Sequence, residues 1–201
     1  MNDKALIPHQ PRPIARGRRP RSELSKAVSR IEYIEEYDYT SLVEAASHPE
    51  HKLLMRLLWE TGLRISEALN LSYSAIHPDG IMVMNGKGGK QRFVPCQARV
   101  LGEMFRYRET HGSARIFNKL KTESGALLML RRYAKKAGIE KRIYPHLFRH
   151  SWAINVLRQT GNPFVLQDMG GWSDMETIKI YMRLAKEEPK QAIQRMSFPE
   201  V

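Results

Sequence analysis

The sequence predicts a mainly α-helical domain with one small antiparallel β-sheet, a hairpin. Helical patterns with recognisable start and stop signals recur through most of the chain. A single stretch, "GIMVMNGKGGKQRFVPC", instead shows two short apolar runs flanking a Gly-rich turn, the mark of a hairpin. Length and composition agree, since 201 residues with 42% hydrophobic and 27% charged side chains suffice for one buried core behind an ordinary polar surface.

Taken in order, residues 9–22, "HQPRPIARGRRPRS", hold five arginines and three prolines without hydrophobic periodicity, so residues 1–22 read as an unfolded basic arm. From Ser22, "SELSKAVSRIEYIEEY" reads as a capped, mostly polar helix, and residues 23–33 link the arm to a folded unit over 34–190. "YTSLVEAASHPEHKLLMRLLWETG" gives two helices, the second closed by Gly62. A short amphipathic helix in "TGLRISEALNL" and then the hairpin follow. Helices resume in "QARVLGEMFRYRETHG", "TESGALLMLRRYAKKAG", "PHLFRHSWAINVLRQTG", "NPFVLQDMG" and "DMETIKIYMRLAKEEPKQAIQRM". Pro189 interrupts the last of these, which sets residues 191–201 apart as a C-terminal tail.

Charge narrows the partner. Thirty-three Lys+Arg against 21 Asp+Glu leave +12, a balance typical of proteins that bind polyanions, nucleic acid first among them. Through Ser22 there are six basic residues and one acidic, so a net +7 remains on the other 179 residues and the folded part is basic in its own right. With Cys96 as the sole cysteine, neither an internal disulfide framework nor a cysteine-rich zinc site is available, and a cytoplasmic protein is expected. No apolar run approaches the roughly 20 residues that span a bilayer, and "MNDKALIPHQPRP" lacks the apolar centre of a signal peptide. Membrane partners are not expected.

Several polar residues stand where they are costly. Arg64 begins a helix, whose N-terminal partial positive charge repels a guanidinium unless an anion is held nearby. In "YPHLFRHSWAINVLRQTG", Pro145 and Gly161 delimit about four turns whose apolar residues run almost around the circumference, so the helix is buried. His146 and Arg149 share one face of its first turn. A buried arginine demands an anionic partner, either a carboxylate elsewhere in the chain or a bound ligand. His150 reads as a hydrogen-bonded packing residue. "NGKGGK" places Lys87 and Lys90 on a turn followed by a strand rather than a helix, which disfavours a nucleotide-binding P-loop. Taken alone, either lysine suits a solvated surface. "WSDMETIKIYM" offers Ser173-x-x-Glu176 as a capping box, with the helix starting at Ser173, and puts Trp172 and Tyr181 nine residues apart. Each aromatic, taken singly, suits the core.

Read together, "TGLRISEAL", "GKGGKQRFVP", "HLFRHSWA" and "MGGWSD…IKIYMR" resemble, in order and separation, the motifs of the tyrosine recombinase (phage integrase) family. The resemblance covers roughly residues 34–190. It implies the DNA breaking-rejoining fold shared with type IB topoisomerases. It also implies that Arg64, Lys87, His146, Arg149, Trp172 and Tyr181 are catalytic, with Tyr181 the nucleophile and Glu67 orienting the site. Trp172 stands where most members have histidine, and its indole N–H can donate to a phosphate oxygen but cannot shuttle a proton. His146 is then the expected base and Lys87 the expected acid, in chemistry needing no cofactor, ATP or metal.

The implied substrate is double-stranded DNA, with self-association as a dimer or tetramer on it. The family places a separate DNA-grasping domain before the catalytic one, whereas only residues 1–33 precede the match here. Arg12, Arg16, Arg18, Arg19 and Arg21 of the arm, with Lys90, are therefore expected to add grip. Ala192, Ile193 and Met196 form a small apolar face that either docks on a neighbouring protomer or packs back on its own domain. The expected function is site-specific recombination through a 3′-phosphotyrosyl intermediate. The alternatives are topoisomerase-like relaxation by the same chemistry and a non-cutting DNA-binding accessory protein with this fold.

Overall fold

A computed structural model of the chain describes residues 31–84 and 91–186. Within them the helices are α1 (Glu36–Ala45), α2 (Pro49–Thr61), α3 (Ile65–Leu69), α4 (Ala98–His111), α5 (Glu123–Lys136), α6 (Pro145–Thr160), α7 (Pro163–Gly170) and α8 (Met175–Ala185). Between α3 and α4 come a 3-10 turn (Tyr73–Ala75) and the strands β1 (Ile76–His77), β2 (Gly80–Met84) and β3 (Gln91–Pro95), paired antiparallel in the order β1-β2-β3. The fold is thus mainly α with a small antiparallel sheet.

Three details differ from the sequence-based reading. Residues 31–35 are not helical, and the first described helix starts at Glu36. The sheet gains a two-residue strand, β1, too short to leave a pattern in the sequence. Helix α8 is capped by Asp174, whose Oδ1 accepts the backbone N–H of Glu176, and not by Ser173. Aspartate serves as well as serine in that position, so the box motif misplaced the start by two residues. The arm, most of the 23–33 linker, the turn with Lys87 and Lys90, and the C-terminal tail lie outside the described residues.

Helix α6 is the axis of the structure. It packs against α2 on one side and α8 on the other, with α7 alongside. Its Leu147 and Phe148 join the larger core with α2, α4 and α5, while Trp152, Ala153, Ile154 and Leu157 join Leu166, Ile178 and Tyr181 in a second cluster. An apolar circumference was needed because this helix has neighbours all round. Each such Leu, Phe or Ile stabilises the fold by roughly 1.5–3 kcal/mol on burial. Ser151 is tolerated among them because its hydroxyl donates to the carbonyl of Leu147 and accepts the N–H of Ile34, both at 2.7 Å.

Buried Glu50, at the start of α2, fixes the segment between α4 and α5. Its carboxylate accepts the Tyr107 hydroxyl at 2.7 Å and the backbone N–H groups of Asn118, Lys119 and Leu120. Burial alone would raise its pKa, but these donors hold it below the usual carboxylate range. The anchored segment sets where α5 begins, and residues of its first turns, Glu123, Ser124 and Leu127, line the cleft described next.

Candidate active site

Arg64 is the N-cap of α3, with extended backbone and a side chain 44% exposed. Its nearest anion belongs to its own helix: Glu67 accepts from Arg64 Nη1 at 2.9 Å and from the Arg64 backbone N–H at 2.9 Å. Glu67 is at the same time gripped from the sheet. Arg92 of β3 donates Nη1 to Oε1 at 3.0 Å and Nη2 to Oε2 at 2.7 Å, and its Nε donates to the Met169 carbonyl at 3.0 Å. Burial pushes the Glu67 carboxyl up, but hydrogen bonds from Arg92 and from the Arg64 N–H bring it down to about 2. Glu67 is therefore a permanent anion set between two guanidiniums.

Arg149 is 2% exposed, and among the described residues no carboxylate is bonded to it. Instead Nη1 donates to the Gly62 carbonyl and Nη2 to the Gly170 carbonyl, both at 2.7 Å. These oxygens sit at the C-terminal ends of α2 and α7, where helix dipoles concentrate partial negative charge. The guanidinium also lies over the Trp172 ring, 4.2 Å from its centroid. Burial, then the charge of Arg64, lowers the Arg149 pKa to about 10, which still leaves it protonated at neutral pH. Both glycines are required for this arrangement. A Cβ on Gly62, whose φ is +60°, would stand 2.1 Å from the Trp152 ring, and one on Gly170 would stand 2.0 Å from the Trp172 ring.

Tyr181 projects from the middle of α8 and is 3% exposed. Its hydroxyl lies 2.7 Å from Nδ1 of His150, one turn after His146 on α6, and the two imidazoles meet edge-on at 4.5 Å. The Trp172 ring lies 5.6 Å from that of Tyr181 and stacks against Trp152. Burial, then the charges of His146 and Arg149, lowers the His150 pKa to about 4. Burial raises the Tyr181 phenol to about 12 despite the pull of Arg149. Burial, Arg149 and Arg64 likewise lower His146. Both imidazoles are thus disposed to be neutral, and the phenol to keep its proton.

Arg64, His146 and Arg149 line one cleft of about 870 Å³, together with Ser66, Tyr144 and the start of α5. Tyr181 and Trp172 do not line it; Trp172 lies against Arg149 of its wall, and Tyr181 is bonded to His150. Five of the six residues expected to be catalytic are therefore gathered within one neighbourhood, and Lys87 lies outside the described residues. Two further residues belong to this neighbourhood. His150 makes the hydrogen bond expected of it as a packing residue, and its partner is the Tyr181 hydroxyl. Arg92 was passed over, although period-two alternation puts it on the same strand face as core residue Val94, an unusual place for an arginine. Among the described residues, no group of three or more His, Cys, Asp or Glu is arranged to hold a metal ion, and no helix is long and apolar enough to cross a membrane.

Comparison with known proteins accords with this geometry. The model of the phage integrase family matches residues 32–188. The tyrosine recombinase XerA of Pyrococcus horikoshii is 28% identical over 176 residues, 82% of this chain and 61% of that protein, so the chain spans less than two thirds of that relative. Among solved structures, the XerA recombinase crystal structure matches with a TM-score of 0.70 at 27% identity, covering 83% of this chain and 66% of the other. The catalytic domain of bacteriophage HP1 integrase matches with a TM-score of 0.66 at 25% identity, covering 82% of this chain and 95% of that domain.

Proposed function

The chain belongs to the phage integrase family and has the fold of a tyrosine recombinase catalytic domain, and on that premise we propose that it cuts and rejoins double-stranded DNA at a specific site through a 3′-phosphotyrosyl link. The observation that carries this reading is the convergence of Arg64, His146 and Arg149 on one cleft, with the Tyr181 hydroxyl bonded to His150, one residue along α6 from Arg149.

A scissile phosphate in the cleft meets two guanidiniums, whose planar donors match its non-bridging oxygens. Negative charge grows on those oxygens as Tyr181 Oη bonds to phosphorus, so fixed donors there favour the transition state over the ground state. Such donors are typically worth about 10²–10³ in rate each. His146 adds an imidazole donor from the cleft wall, and Trp172 an indole N–H. Neutral His150, with Nδ1 against the phenol, accepts its proton as the bond to phosphorus forms; with the imidazole near 4 and the phenol near 12 the transfer is uphill before attack, so it runs in concert with it. Lys87 gives a proton to the departing 5′ oxygen as its bond to phosphorus breaks. The phosphotyrosine ester keeps the bond energy of the broken phosphodiester, and a 5′-hydroxyl from a second strand reverses the step.

The basic surface and the arm arginines supply sequence-independent phosphate contacts, and self-association on DNA brings two duplexes together. The test is a nicked duplex from the native genetic neighbourhood of the protein, whose 5′ fragment diffuses away after cleavage. A covalent protein–DNA adduct should accumulate with the wild type and be absent with Tyr181→Phe. An adduct that survives in Tyr181→Phe sinks the assignment of the nucleophile, and no adduct on any duplex sinks the reading as a whole.

A further inference from the structure

We infer that Arg92 is a positioning residue for the cleavage step: by neutralising Glu67 through a two-pronged bond, it keeps the charge of Arg64 available to the scissile phosphate. This rests on the function proposed above. The charges make the case. Arg64 and Glu67 alone are a neutral pair, and an anion approaching such a pair gains little. Arg92 makes the trio net positive, and it does so without lining the cleft: its side chain is 6% exposed, whereas that of Arg64, which lines the cleft, is 44% exposed.

The bond geometry points the same way. Each Glu67 oxygen accepts one bond from Arg92 and one from Arg64, so neither arginine can have the carboxylate to itself. Without Arg92, Glu67 would be a lone acceptor beside Arg64, and the exposed guanidinium would swing down to satisfy both oxygens. The third Arg92 bond, Nε to the Met169 carbonyl, ties the same guanidinium to the end of α7, one residue before Gly170, which holds Arg149. Arg92 also packs under the following turn, where a Cβ on Gly171 would come within 2.9 Å of its Cδ. One strand residue thus fixes the spacing between the anchor of Arg64 and the anchor of Arg149.

The test is single-turnover adduct formation on the nicked duplex with Arg92→Lys and Arg92→Met, each made in the wild type and in Glu67→Gln. Arg92→Lys keeps the charge but loses the fork, so it should slow cleavage by about tenfold, and Arg92→Met by more, with the half-saturating DNA concentration changed less than the rate. In Glu67→Gln there is no carboxylate to neutralise, so Arg92→Lys should slow cleavage less than about twofold further. An equal loss in both backgrounds, or a loss that merely follows the folded fraction in thermal melts, overturns the inference and leaves Arg92 a structural residue. Unchanged rates in both Arg92 variants overturn it as well. If no variant and no wild type forms an adduct, the proposed function fails. The inference is then judged by carbon NMR of the Glu67 carboxyl, whose pKa must rise in Arg92→Met for the neutralising contact to stand.

Discussion

The Tyr181 hydroxyl and His150 Nδ1 are 2.7 Å apart, and the pair joins α8 to α6 beside the core cluster that holds Tyr181. With the imidazole titrating near 4 and the phenol near 12, neither carries charge at neutral pH. A neutral pair is what a buried position tolerates, and it leaves an unprotonated nitrogen in contact with the proton that the nucleophile must lose as it attacks.

If His150 takes that proton, His150→Ala should lower single-turnover cleavage by about 10²–10⁴ while DNA affinity stays near wild type. The wild-type rate should show no inflection from this group between pH 5 and 8, because its titration lies lower. A loss below about threefold in His150→Ala would return the residue to a packing role.

The same pair predicts the pH dependence of stability. In the folded chain His150 titrates near 4, below the 6.5 of a free histidine, so between those values the unfolded chain binds the extra proton. Stability is full above about 6.5 and is lost as pH falls toward 4, with the lowered His146 and His51 adding to the trend. Glu67 continues the loss from 4.5 toward 2. At the other end, the raised Tyr181 phenol is stabilising below about 10 and that contribution disappears as pH rises toward 12. Urea midpoints between pH 4 and 7 should fall less steeply in His150→Asn than in the wild type, and an identical slope would contradict the assignment.

Arg149 should matter to the fold as well as to the reaction. Arg149→Ala leaves the buried Gly62 and Gly170 carbonyls without their donor, at about 1–3 kcal/mol each. Urea unfolding should show a loss of a few kcal/mol, and a smaller one for Arg149→Lys, which keeps the charge. Wild-type stability in the alanine variant would mean that the two carbonyls find other donors.

Lys87→Ala should slow cleavage of ordinary DNA far more than cleavage of a duplex whose 5′ leaving oxygen is replaced by sulfur, since the thiolate departs without a proton. Lys90→Ala is the control and should be mild. Equal slowing of both substrates by Lys87→Ala would remove the acid role.

Deleting residues 1–22 removes five arginines and one lysine and touches no described core residue, so the melting temperature should hardly change. DNA affinity should fall, and log affinity against log salt should become shallower by about 0.9 per lost phosphate contact. An unchanged slope would show that Arg12, Arg16, Arg18, Arg19 and Arg21 make no such contacts.

Features decided by local chemistry were legible in the residues alone. The Gly62 and Gly161 stops of α2 and α6 follow from backbone preference at single residues, and the burial of α6 from the apolar spacing along it. The order of Arg64, His146, Arg149 and Tyr181 along the chain was likewise open to reading, because each sits in a short motif of its own. The pairing of those residues was not. Arg149 could have met a carboxylate, and it met two helix-end carbonyls because α2 and α7 both terminate against α6. Whether His146 or His150 faces Tyr181 depends on how far α8 is rotated against α6. That rotation is set by Ile178, Leu166 and Trp152 in the core between them. Arg92 became visible only when β3 was laid beside α3 and α7, since its partners stand 25 and 77 residues away in the chain. Contacts over such separations are chosen by the packing of whole elements, and no local pattern in a sequence encodes the angle at which two elements meet.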